Sequence, residues 1–368
     1  MTHTKQKAAV RVAAILTMVL ALLVTVSFTG CQLTSLLPTG AGSQNNTSSQ
    51  LLGGGLPAQT IVIPSYLHPL TGLETTENLV NARPVSICIG NTAYALPQYG
   101  LSGADILVEV PVEGGISRLM MITNNYEYIE KIGSVRSTRP GLASVANSFD
   151  TIQLYAGTSD ENESVLLPYD TMDYIMQNLP TIYYRSEENA VPHNLMTSGA
   201  LIQAGIASFN YRTELQEDFS MPYHFAKFGE TINPQDGTAL AVQISYSASH
   251  VIEFSFHDEA GKYIRNQFGE IQIDGNNNAS LAFENVFILY ANTVTHENAS
   301  GSTVDINVEQ GGSGIWCSNG LMQNISWCFD EQGKMIFYDA EGECLTINRG
   351  TTYIGFMKSS MSNAVKIQ

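Results

Sequence analysis

The sequence predicts an α+β protein of two domains. The first is a mixed α/β layered domain over residues 61–230, and the second a mostly antiparallel β domain over residues 237–358. Three observations lead there. Between about 65 and 225, short apolar runs alternate with helical patterns, the rhythm of strands covered on both faces. After about 237 the period changes to two, punctuated by turns rich in Gly, Asp and Asn. A chain of 368 residues, 44% hydrophobic, is long enough for two cores.

Residues 1–30 read as an export signal. Lys5, Lys7 and Arg11 precede an almost wholly apolar run, Val12 to Phe28, which ends in Phe28-Thr29-Gly30-Cys31. A basic start, an apolar core and a small residue before the cut define such a signal. A cysteine directly after that residue is a bacterial lipoprotein cleavage box, so Cys31 is the expected lipidation site. Residues 31–60 carry no charge and are rich in Ser, Thr, Gly, Asn and Gln. They read as a flexible linker with a typical reach of about 30 Å.

In the first domain, Val85–Ile89, Ile106–Val110, Leu119–Thr123 and Thr151–Tyr155 are expected strands. Pro140–Ser148, Ser164–Gln177 and Ser198–Phe209 are expected helices, the last with a start signal in Thr197-Ser198. Ten strands are expected in the second domain, from Leu240–Tyr246 to Cys344–Ile347, with Ser318-Asn319-Gly320 the clearest hairpin turn. The linker between the domains is expected near Gly229–Gly237. Beyond Cys31, the cysteines Cys88, Cys317, Cys328 and Cys344 read as free thiols. Cys328 and Cys344 fall on strands separated by a third, about 10 Å apart, too far for a disulfide.

Only 14% of residues are charged, and acids outnumber bases 34 to 17. The mature chain would keep 14 of those bases. A net charge of −17 argues against nucleic acid as a partner. No His/Cys spacing suits a metal, and no motif implies a cofactor. The expected partners are the membrane, through the lipid, and an anionic or glycan cell-wall ligand. The expected location is the outer face of a bacterial cytoplasmic membrane. Oligomeric state is not legible.

In so acidic a chain the arginines are informative. Arg118 ends the segment Glu109-Val-Pro-Val-Glu113-Gly-Gly-Ile-Ser-Arg118, just after an expected buried strand, where α/β domains place their sites. Arg136 and Arg139 bracket Ser137-Thr138, and Pro140 then opens a helix. Arg118, Arg136, Arg139, Ser137, Thr138 and Asn194 are therefore candidate ligand-binding residues, with the helix amides adding to an anion site. Glu109, Glu113, Asp105 and His193 are candidate catalytic residues. The bland alternative pairs Glu109 and Glu113 structurally with Arg118, Arg136 or Arg139. As a glycosidase pair the two glutamates fit poorly, since an extended segment holds them about 13 Å apart.

These segments, with His68-Pro-Leu-Thr-Gly-Leu73, Ile132-Gly-Ser-Val-Arg-Ser-Thr-Arg-Pro140, Pro192-His-Asn194 and Asn348-Arg-Gly-Thr-Thr-Tyr353, resemble the YerB-like lipoproteins, whose two parts are domains of unknown function 3048. The resemblance covers residues 64–358 and implies a lipid-anchored, two-domain protein without an established activity. It also implies aspartate where this chain has Gly90, and histidine and glycine where it has Tyr155 and Thr158. The layout of the Arg118 strand and the Arg-x-x-Arg turn is similar to that of LytR-CpsA-Psr phosphotransferases, which implies an envelope phosphotransferase or hydrolase as the enzymatic alternative. A non-catalytic interaction scaffold is the third reading.

The lipobox makes one direct prediction. Cys31→Ser should abolish acylation, so the protein is either retained with its signal or released. Unchanged mass and membrane attachment in that variant would refute the assignment.

Overall fold

The computed structural model describes residues 66–75, 79–158, 168–298 and 301–368. The expected signal, Cys31 and the 31–60 linker lie outside the described residues, as does the start of the expected helix Ser164–Gln177. The first half contributes β1 (Val85–Asn91), β2 (Ile106–Pro111), β3 (Ser117–Thr123), β4 (Ile132–Gly133), β5 (Ile152–Tyr155), β6 (Thr171–Asp173), β7 (Tyr184–Arg185) and β8 (Leu195–Thr197). Helices Pro140–Ser148 and Gly199–Phe209 fall where the sequence places them, and Ser198 Oγ caps the second by accepting from the Leu201 amide. Within the described part of Ser164–Gln177 the expected helix is replaced by β6. Thr171–Asp173 extends the sheet beside β5, and that pairing overrides the local helical pattern.

The second half contributes β9 (His224–Phe225), β10 (Gly237–Thr238), β11 (Ala241–Ser247), β12 (His250–His257), β13 (Lys262–Gln267), β14 (Glu270–Ile271) and β15 (Ala282–Phe283). It continues with β16 (Asn285–Asn298), β17 (Gly301–Asn307), β18 (Gly312–Ser318), β19 (Leu321–Phe329), β20 (Met335–Tyr338), β21 (Thr346–Ile347), β22 (Thr352–Lys358) and β23 (Val365–Ile367). The β18–β19 turn is the expected Ser318-Asn319-Gly320, with Asn319 and Gly320 both at positive φ, as a two-residue hairpin demands. Cys88, Cys317, Cys328 and Cys344 are all free.

The two halves do not build separate sheets. A mixed sheet of twelve strands runs in the order β10-β19-β18-β16-β22-β2-β3-β1-β5-β6, with β17 and β20 attached at β16 and β19. Its seam is β22, which pairs parallel to β16 on one side and parallel to β2 on the other. Burial on both faces suits a parallel central strand. This strand was not among those expected from the sequence, and it is the one that fuses the α/β half to the β half. The described residues of the two halves accordingly form one compact unit. The chain is predominantly β, and it continues past residue 358, where β23 pairs with β11.

The large sheet has two covered faces. Leu107, Leu119, Met121, Ile87 and Tyr353 point to one, where they cluster with Ile244, Ile252 and Phe254 of the six-stranded sheet β14-β13-β12-β11-β23, in which β15 is attached at β13. Ile106, Val108, Met120 and Cys88 point to the other, against Leu142 and Val145 of helix Pro140–Ser148. Because successive strand residues alternate, the face a polar residue meets is set by its parity.

Cutting between the halves should therefore undo both. Residues 60–236 and 237–368, expressed separately, should show no cooperative urea transition, because each exposes an unpaired central edge. Mixed or intact, they should unfold in one transition that coincides by fluorescence and circular dichroism. Two independent transitions in the intact chain would contradict this.

Candidate functional site

Glu109, on β2, faces the six-stranded sheet and is fully buried. One carboxylate oxygen accepts from Asn91 Nδ2 at 3.0 Å and Ser117 Oγ at 2.5 Å. The other accepts from Arg265 Nη2 at 2.7 Å and Tyr353 OH at 2.8 Å. Gly355 lies opposite Glu109 in register, and a Cβ there would come within 2.8 Å of the Tyr353 ring. That missing side chain lets the phenol reach the carboxylate. Arg265 also donates to Gln267 and Gln272, and Gln272 in turn donates to Gln98 at 2.8 Å. Burial alone would raise the Glu109 carboxyl, but the charges of Arg265 and His250 and the Ser117 hydroxyl outweigh it and hold it below the usual range.

His250 Nε2 lies 2.8 Å from Ser117 Oγ, the spacing of a nucleophile and its base. Both are closed to solvent, and the hydroxyl donates to Glu109. Burial holds the imidazole below its ordinary pKa against the pull of Glu109. The group is an interior network joining the two sheets, and Glu109 has no route to a substrate. A pairing of Glu109 with Arg118, one of the structural alternatives, fails by parity, since Arg118 stands opposite Val110 and faces the other way.

On that other face the arginines gather. Arg118 is only 5% exposed; its side chain makes no hydrogen bond to any described residue, and its Nε is buried without a partner. Arg139 is as deeply buried; it pairs with Glu113 and donates from Nη1 to the Thr138 carbonyl at 2.7 Å, while its Nε is also unpartnered. Arg136, half-buried, donates to the Pro192 carbonyl at 3.1 Å. Burial first, then Arg139 and Arg136, pushes the Arg118 guanidinium down to about 9. His193 sits beside them, its Nδ1 buried without a partner and its ring 6.2 Å from that of Tyr94. Burial, Arg136 and Arg118 keep it below its ordinary value. Glu113 Oε2 and Ser134 Oγ are unpartnered as well. Among the described residues, the cluster thus sets three guanidinium groups against one carboxylate.

Other candidates fall elsewhere. Asp105 precedes β2 at its opposite end and pairs with His68 at 3.5 Å, so it does not join Glu113 or His193. Asn194 is held by Arg185 Nη1 at 2.7 Å. Ser137 Oγ donates to the Ala156 carbonyl at 2.9 Å, and Thr138 is buried. The amides of helix Pro140–Ser148 are not an open anion site: Asp305, from β17, accepts from the Gly141 amide at 3.0 Å. Arg139, rather than Ser137 or Thr138, occupies the N-cap position.

Sequence reasoning missed Arg265, His250, Tyr353 and Asp305. Arg265 carried a signal, since it alternates with Tyr263 and Gln267 on the buried side of a period-two strand. Gly90 lies opposite Arg118, and a Cβ there would stand 3.0 Å from both Arg136 Cγ and Ser134 Oγ. The aspartate implied by the resemblance would thus reach the arginines, and here it is missing. Tyr155, where histidine is implied, is buried on β5, and burial raises its phenol to about 12.

Residues 70–212 match the model described as Protein of unknown function (DUF3048) N-terminal domain, and residues 242–354 match its C-terminal counterpart. The chain belongs to the YerB-like family. It is 28% identical to "Putative lipoprotein YerB" of Bacillus subtilis (strain 168) over 296 residues, spanning 78% of this chain and 85% of that one. The crystal structure of YerB from Bacillus subtilis superposes with a TM-score of 0.71 at 26% identity, covering 83% of this chain and all of that one. The second matched region ends within β22, the strand that pairs with β2 of the first.

The Glu109 network makes a stability prediction with a definite sign. A carboxyl that ionises more readily folded than unfolded stabilises above its ordinary pKa, and that contribution fades as pH falls through the folded value. Glu109→Gln leaves Arg265 buried without a counter-charge and should cost about 3–5 kcal/mol at pH 7. The gap to wild type in urea melts should narrow below about pH 4.5. A gap independent of pH would refute the buried ion pair.

Proposed function

We propose that this YerB-like protein is tethered by a lipid on Cys31 to the outer face of the cytoplasmic membrane and binds a phosphate- or carboxylate-bearing ligand at Arg118, Arg136 and Arg139. The observation that carries this reading is Arg118. Burying a cation without a counter-charge is costly, and proteins otherwise pair such groups. Here its neighbours are two more arginines, in a chain with twice as many acids as bases. Glu113 offsets one of the three. An incoming anion would supply charge and acceptors that the described residues of the cluster do not provide, with Arg136, the most exposed of the three, meeting it first.

The binding reading is favoured over the enzymatic one because the expected catalytic carboxylates are dispersed. Glu113 and His193 accompany the arginines, whereas Glu109 is sealed on the opposite face and Asp105 lies at the far end of its strand.

Calorimetry with inorganic pyrophosphate and phosphate tests the reading. Wild type should bind at least one, and saturating ligand should raise the melting temperature; about 100 times Kd corresponds to about 2.7 kcal/mol. Arg118→Met and Arg136→Met should weaken binding at least tenfold without lowering the melting temperature of the free protein. Gly90→Asp, which brings a carboxylate to Arg136, should weaken it too. If neither anion binds and Arg118→Met is strongly destabilising, the cluster is structural.

A further inference from the structure

A second site lies at the other end of the same strands. Past the end of β3, about 20 Å along the strand from Arg118, a groove of about 900 Å³ opens between segment 79–83, the Asn124–Tyr128 loop, helix Gly199–Phe209 and residues 211–214. Its size matches small-ligand sites, which run to about 1,000 Å³.

The chemistry of its lining differs from that of the arginine cluster. Its one arginine, Arg83, is already engaged, with Nε donating to the Asp150 carbonyl at 2.8 Å and Nη1 to Asp170 at 2.5 Å. Among the described lining residues, the remaining charged groups are two exposed carboxylates, Glu127 and Glu214, which disfavour an anion. What the groove offers instead is amides. No other described residue hydrogen-bonds the side chains of Asn125, Gln203 and Asn210, all exposed in the lining.

Asn124 is the second, independent observation. It is 97% buried, and its Nδ2 donates to the carbonyls of Leu79 and Ala82 at 3.3 and 3.4 Å, which fixes the orientation of the amide. Its Oδ1 is left buried without a partner. An unsatisfied acceptor in such a place costs free energy until a donor arrives. Beside it, Tyr128 leaves 80% of its surface exposed at the lip. Amides that each donate and accept suit neighbouring hydroxyls, and an exposed ring presents an apolar face on which a pyranose can lie.

We propose that this groove binds an uncharged oligosaccharide, with Asn124 Oδ1 accepting from a sugar hydroxyl, Gln203 and Asn210 bridging adjacent hydroxyls, and Tyr128 stacking on one ring. The site is separate from the arginine cluster, and either can exist without the other.

Calorimetry with chitotetraose and with maltotetraose tests it on the full protein. At least one should bind, and Tyr128→Ala and Gln203→Ala should each weaken that binding about tenfold. Arg136→Met should leave it unchanged, which separates failure here from failure of the anion site. Both lining residues are exposed, so the variants should melt with wild type. If neither sugar binds at millimolar concentration, or if both variants bind as wild type does, the proposal is wrong.

Discussion

The Glu109 carboxylate is the constraint around which this molecule is organised. It accepts from β1, β3, β13 and β22 at once, so it needs strands from both halves of the chain and from both sheets. A buried carboxylate with any one of these removed would hold an uncompensated charge or an empty acceptor in the interior. The network consequently specifies a unique arrangement: β22 beside β2, the six-stranded sheet over the large one, and Arg265 at the junction. Asp274 reinforces the same joint by accepting from the Gly100 and Ser102 amides at 3.0 and 2.8 Å.

The opposite face of β1, β2 and β3 is built on the reverse logic. There, guanidinium groups crowd together with too few acceptors among the described residues, and the cost shows in the lowered Arg118 pKa and in the unpartnered Nε atoms of Arg118 and Arg139. A fold that satisfies one buried charge so fully a single residue away can tolerate an unsatisfied cluster nearby. The contrast is what makes the cluster informative. Val110 and Glu109 differ by one position, and that step decides between core and network; Ser117 and Arg118 differ likewise.

Much of the local structure was legible in advance. Apolar runs marked β1, β2, β3 and β5, the Ser198 cap marked the second helix, and the Asn319-Gly320 turn marked the β18–β19 hairpin, because each depends on residues adjacent in sequence. The Glu113–Arg139 pair was among the open alternatives. Illegible were the partners supplied from far along the chain: Arg265 lies 156 residues from Glu109, Tyr353 lies 244, and Asp305 lies 164 from the helix it caps. Spacing carries no information over such separations.

Composition and neighbouring residues alone established that the chain opens with a basic start and an apolar run ending in Gly30-Cys31, is acidic, and changes from mixed to period-two patterning near residue 237. Only the tertiary structure decided that the two halves share one sheet. A seven-residue run near the C-terminus, Thr352–Lys358, is buried on both faces and finds backbone partners in β2 and β16. Only the tertiary structure, too, separated Glu109 from Arg118. Strand parity sends neighbouring residues to opposite faces, and what waits on each face is set by which distant strand packs there.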